Sequence, residues 1–95
     1  MSAKFTLHAF GHPTLDPKSR LLLLTLGECA GVSSSNADIF DLSFSAIPAM
    51  AAMANIDEET IEDWLSKGLG RSISGGVGSG TTFNLTDFVA RLAAL

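Results

Sequence analysis

Residues Ile47 to Leu69 read IPAMAAMANIDEETIEDWLSKGL, and the way this stretch divides decides the fold. Apolar side chains recur at helical spacing on either side of Asn55, so it reads as two short helices joined by a tight turn. Met50, Ile56, Ile61 and Trp64 are placed to make the contact between them, Ala51 is small where they cross, and Asn55 tolerates the left-handed backbone of a sharp turn. Asp57 suits the cap of the second helix, and Glu58 and Glu59 favour the positive end of its dipole by about 0.3 to 1 kcal/mol each. Glu62 and Asp63 then follow four residues behind Glu58 and Glu59. Each such like-charge pair costs about 0.2 to 0.5 kcal/mol, offset in part by Asp63 facing Lys67. A helix that keeps this self-repelling surface is either solvated there or presents it to a basic partner.

N-terminal to this unit, Lys4 to Phe10 alternates Phe5, Leu7 and Ala9 against Thr6, His8 and Phe10, the period of a short strand, broken by Gly11 to Pro13. Asp16 before Pro17 is a helix start, and a helix is expected from Pro17 to about Ala30 with Gly31 as its C-cap. Leu21, Leu22, Leu24, Leu26 and Cys29 make it apolar round most of its circumference, a central core helix. Val32 to Asp38 reads as a loop, and Ile39, Phe40, Leu42 and Phe44 as a cluster containing a short strand. C-terminal to the unit, Gly70 to Ser74 and Thr81 to Leu85 are expected to pair as a hairpin across the glycine-rich Gly75 to Gly80. Thr86 and Asp87 can cap a last helix with Phe88, Val89, Leu92 and Leu95 on one side, a stripe expected to close the core of a monomer, with a homodimer as the alternative.

Ninety-five residues allow one domain, and the apolar share of 46% against 17% charged is that of a globular chain. The single cysteine, Cys29, forms no internal disulfide and suits a small buried side chain in a reducing compartment. The longest leucine run, Leu21 to Leu24, falls far short of the roughly 20 residues that span a bilayer, and no leader precedes it, so the expected location is cytoplasmic, away from membranes. A net charge of −4 repels nucleic acid at long range.

A helix, a short strand, a helix-turn-helix and then a hairpin is an order that resembles the winged helix-turn-helix family. The resemblance is carried by Ala51, Asn55, Ile56, Ile61, Trp64 and the turn at Ser66 to Leu69, and covers about Asp16 to Leu85. It implies an α+β fold: a three-helix core with a β-hairpin wing, here extended by an N-terminal strand and a C-terminal helix. It also implies a recognition helix over Asp57 to Ser66 and a wing over Arg71 to Thr82, contacting the major groove and the DNA backbone or minor groove respectively. The positions that would read DNA depart from the family, since only Thr60 and Ser66 among them suit bases or phosphates. A carboxylate about 7 Å from a phosphate is repelled by roughly 0.6 kcal/mol in water, so five amount to about 3 kcal/mol, close to the low end of the advantage of a specific site, about 4 kcal/mol.

The expectation is therefore a small non-enzymatic binding protein that engages a basic protein surface through Asp57, Glu58, Glu59, Glu62, Asp63 and Ser66. In size and order it resembles small regulators or inhibitors encoded by phages and other mobile elements, proteins that act on nucleic-acid-binding machines. The alternative is a transcriptional regulator that contacts double-stranded DNA through the wing residues Lys67, Arg71, Ser72, Ser74, Gly76, Gly78 and Ser79 and through dimerisation. Gly75 to Thr82 has the glycine spacing of a phosphate-binding loop, but Thr81 stands where the lysine must be. His8, His12 and Cys29 fall short of four metal ligands, and Met50 and Met53 suit the core. No catalytic residue, metal or cofactor is expected.

Overall fold

A computed structural model describes residues 3–33, 38–73 and 79–95. Its elements are α1 (Ala3–Gly11), α2 (Pro17–Cys29), β1 (Gly31–Val32), β2 (Ile39–Ser43), a 3-10 turn (Phe44–Ala46), α3 (Ile47–Ala54), α4 (Glu58–Leu69), β3 (Gly80–Asn84) and α5 (Leu85–Ala93). The fold is α+β: among the described residues, five helices, packed largely on one another, accompany a three-stranded antiparallel sheet of order β1-β2-β3.

Local chemistry sets the element boundaries. Asp16 accepts the Ser19 N–H at 3.1 Å and Pro17 opens α2. Asp57 opens α4 in the same way, accepting the Thr60 N–H at 3.0 Å and the Thr60 hydroxyl at 2.7 Å. Asn55 turns α3 into α4 in the left-handed region, φ 55° and ψ 46°, which lets the Ile56 N–H reach back to the Ala51 carbonyl. Gly70, at φ 73°, does the same for α4, and both its N–H and that of Arg71 end on the Ser66 carbonyl.

A chain of aromatic rings runs through the core. Phe5 of α1 meets Phe40 of β2 edge-on at 4.7 Å between centroids, Phe40 lies 6.1 Å from Phe83 of β3, Phe83 5.4 Å from Phe88 of α5, and Phe88 5.2 Å from Trp64 of α4. Trp64 donates its indole N–H to the Ser19 hydroxyl at 3.1 Å, tying α4 to the first turn of α2. Met50, Ile61, Leu22, Leu23 and Leu26 are fully buried around this chain.

Several expectations are corrected. Lys4 to Phe10 is helix, not strand: Phe5 and Ala9, one turn apart, are fully buried, whereas Leu7 and Phe10 stand 71% and 68% exposed. A helix fits here because Gly27 of α2 leaves room for the Phe5 side chain; a Cβ there would lie 2.9 Å from Phe5 Cβ. Gly31 does not cap α2, since the chain turns extended at Ala30 (φ −82°, ψ 145°) and Gly31 enters β1, which with Val32 takes the start of the expected loop. The hairpin partners also change. β3 pairs with β2, Phe40 opposite Phe83, and residues 71–73 form no strand, because the Ile73 N–H is spent on the Ser66 hydroxyl. The last helix starts at Leu85 under an Asn84 cap rather than under Thr86 or Asp87, and it ends at Ala93, so Leu95 is 78% exposed rather than on the buried stripe. Leu21 and Met53 are exposed, and Cys29 is half-buried.

Candidate functional site

The outward face of α4 is built by the same residues that seat its inner face. Ile61, Trp64, Leu65, Gly68 and Leu69 are buried, which leaves Glu58, Glu59, Glu62, Asp63 and Lys67 exposed on the opposite side, with Asp57 exposed at the cap. Asp63 pairs with Lys67 at 2.9 Å across one turn. Hydrogen bonds from Thr60 hold the Asp57 carboxyl below its ordinary value of 3.8. Among the described residues, Glu58, Glu59 and Glu62 have no basic partner within ion-pair distance.

Ser66 sits differently from the other residues expected on this surface. It is half-buried, its hydroxyl donates to the Glu62 carbonyl at 2.9 Å and accepts the Ile73 N–H at 3.3 Å, so its polar capacity is used in closing the end of α4. Beside the acidic face lies a cleft of about 140 Å³ floored by Ser19 and Trp64 and edged by Lys18, Asp63 and Lys67.

Of the expected wing, Arg71 and Ser72 are exposed, Ser79 is half-buried with its carbonyl accepting the Phe44 N–H at 2.8 Å, and Ser74, Gly76 and Gly78 lie outside the described residues. The Arg71 guanidinium donates to the Thr81 hydroxyl and is thereby held against the start of β3. Thr81 lies within β3, which begins at Gly80, and not at a helix start, which removes the context of a phosphate-binding loop.

The reading of the N-terminal segment as a strand hid one juxtaposition. His8 in α1 and His12, just past its last residue, are four residues apart, and their rings stack with a ring N–H hydrogen bond between Nδ1 of His8 and Nε2 of His12 at 3.3 Å. Burial and the neighbouring His12 hold His8 below its ordinary pKa, while burial pushes the Cys29 thiol up. The chain matches no family model, no curated protein and no solved structure.

Proposed function

We propose that the chain is a small non-enzymatic binding protein of winged-helix type whose acidic α4 face engages a basic protein surface. The order α2, β2, α3, α4, β3, with β2 and β3 paired across the helix-turn-helix, supports the resemblance in architecture. The observation that carries the reading is the division of α4: one side closes the core, and the other holds an exposed carboxylate row in which only Asp63 has a lysine partner among the described residues. Field lines from such a row attract a cationic surface and repel a phosphate backbone. A basic surface that ordinarily holds nucleic acid would fit this face, which makes the chain a regulator or inhibitor of a nucleic-acid-binding machine.

Affinity capture from the source cell after nuclease treatment, run in parallel with the parent and the Glu62→Lys, Asp63→Lys double variant, tests the reading. The parent retains a protein partner through nuclease digestion, and the double variant loses it at an unchanged melting temperature. Sub-micromolar binding of the parent to duplex DNA, falling steeply as salt rises, would instead mean that several phosphates are neutralised and would favour the regulator reading through Lys67 and Arg71.

A further inference from the structure

We propose that His8 and His12 form a two-ligand site for a tetrahedral divalent transition-metal ion of the Zn²⁺ class. Zinc binds imidazole nitrogen at about 2.0 to 2.1 Å, and a tetrahedral angle of about 109° then sets two ligating nitrogens about 3.3 to 3.4 Å apart. Ligands at the right angle of a square-planar or octahedral centre would lie about 2.9 Å apart. Nδ1 of His8 and Nε2 of His12 share a ring N–H hydrogen bond at 3.3 Å, so a change of tautomer that carries this proton to the far ring nitrogen frees both lone pairs at the tetrahedral span. The two residues are neighbours on a helix surface by their i, i+4 spacing, the same spacing that lets paired histidines on a helix share a zinc ion.

The scaffold positions this pair before any ion arrives. Phe5 and Ala9 fix the inner face of α1 in the core, and the imidazoles of His8 and His12 lie nearly parallel, 14° between planes and 5.4 Å between centroids. Two half-buried rings already held side by side lose little further freedom on chelation. His12 follows the last residue of α1, so an ion held by both rings would staple the end of the helix to the segment leading into α2. The charges around the pair are mixed. Lys4, one turn before His8, has its ammonium 3.0 Å from the Asp38 carboxylate, and Arg20 of α2 donates to the His12 carbonyl at 3.4 Å. Asp38 therefore offsets Lys4, while Arg20 remains as the opposing charge and keeps the site weaker than a structural zinc centre. Among the described residues no third His, Cys, Asp or Glu joins the pair, so water fills the remaining positions.

The test is a Zn²⁺ titration of the full chain followed by long-range ¹H–¹⁵N spectra of the imidazoles, with His8→Gln, His12→Gln and Cys29→Ser variants alongside. Both imidazoles of the parent should shift together with one-to-one stoichiometry. Either glutamine variant should bind at least tenfold more weakly, and Cys29→Ser should bind as the parent does. Circular dichroism establishes that each variant is folded, and the parent's own imidazole signals carry the test if one is not. The proposal is overturned if neither imidazole responds at millimolar Zn²⁺. It is equally overturned if the glutamine variants bind as tightly as the parent, which would put the ion on the α4 carboxylates or on Cys29.

Discussion

Replacing Gly68 by alanine sets two effects of opposite sign against each other, and the structure decides between them. Gly68 lies inside α4, where exchanging glycine for alanine ordinarily stabilises a helix by about 0.5 to 1 kcal/mol. A Cβ at this position, however, would lie 2.4 Å from two ring carbons of Phe88 and 2.7 Å from a third. That ring cannot swing clear, because Phe88 is 1% exposed and is held by Trp64 edge-on and by the tilted ring of Phe83. Overpacking of this kind costs about 1 to 3 kcal/mol, and the depth of the clash puts Gly68→Ala at the upper end. With about 1 kcal/mol returned by helix propensity, the net loss is about 2 kcal/mol. For a domain of this size that lowers the melting temperature by about 8 to 16 °C.

Thermal and urea melts read the sign directly. Gly11→Ala is the control, since a Cβ there meets nothing within 4 Å, and it should leave the melt unchanged or slightly raised. Pairing Gly68→Ala with Phe88→Leu opens space under the new methyl group, so the double variant should lose less than the sum of the two single losses. A Gly68→Ala protein that melts at or above the parent would refute the reasoning, because it would show that α5 does not seat Phe88 on Gly68.

The burial of α5 and the two aspartate caps carry two further outcomes. Leu92, 5% exposed, and Leu95, 78% exposed, should separate in urea melts: Leu92→Ala loses about 2 to 5 kcal/mol, whereas Leu95→Ala stays within about 0.5 kcal/mol of the parent. Asp16 and Asp57 have folded pKa values held below the ordinary 3.8 by hydrogen bonds from Ser19 and Thr60 respectively, so the stability they contribute is fully present above that value and is lost as pH falls through the lower folded values. Melts should therefore be flat on this account down to about pH 5 and decline below about pH 4, and replacing both residues by asparagine should shrink that decline.

What was legible in the sequence is what local chemistry decides. The division of Ile47 to Leu69 at Asn55, the Asp16 and Asp57 caps and the burial of Met50, Ile61 and Trp64 each depend on residues within a turn or two of one another. Lys4 to Phe10 was not decidable that way. In seven residues the periods of strand and helix both put Phe5 and Ala9 on one side, and the deciding fact is the gap at Gly27 on another element. The pairing of β3 with β2 is non-local in the same sense, since nothing within Gly70 to Ser74 announces that Ile73 gives its N–H to Ser66. At the candidate site the charged face was legible because exposure follows from the apolar stripe opposite it, but Ser66 was misplaced because its hydroxyl turns to the backbone. The His8 and His12 pair has an i, i+4 signature that means nothing in a strand and becomes visible only once the segment is a helix.

The five carboxylates of α4 and its cap are not equivalent, and sorting them locates where the proposed partner would act. Asp57 spends its oxygens on Thr60 and belongs to the folding of the helix. Glu58 and Glu59 stand in the first turn, where the helix dipole favours negative charge, so their presence needs no partner. That benefit fades within a turn, which leaves Glu62 and Asp63 with the repulsion of Glu58 and Glu59 one turn back and no help from the dipole. Asp63 recovers some of it through Lys67 at 2.9 Å. Glu62 recovers none, because no basic side chain among the described residues reaches it, and the Ser66 hydroxyl bonds its backbone carbonyl rather than its carboxylate. Neither capping, dipole, packing nor pairing among the described residues accounts for its charge. On the proposed function, Glu62 is therefore the residue from which the basic partner should be sought, with Glu58 one turn before it and Glu59 beside it completing the proposed contact.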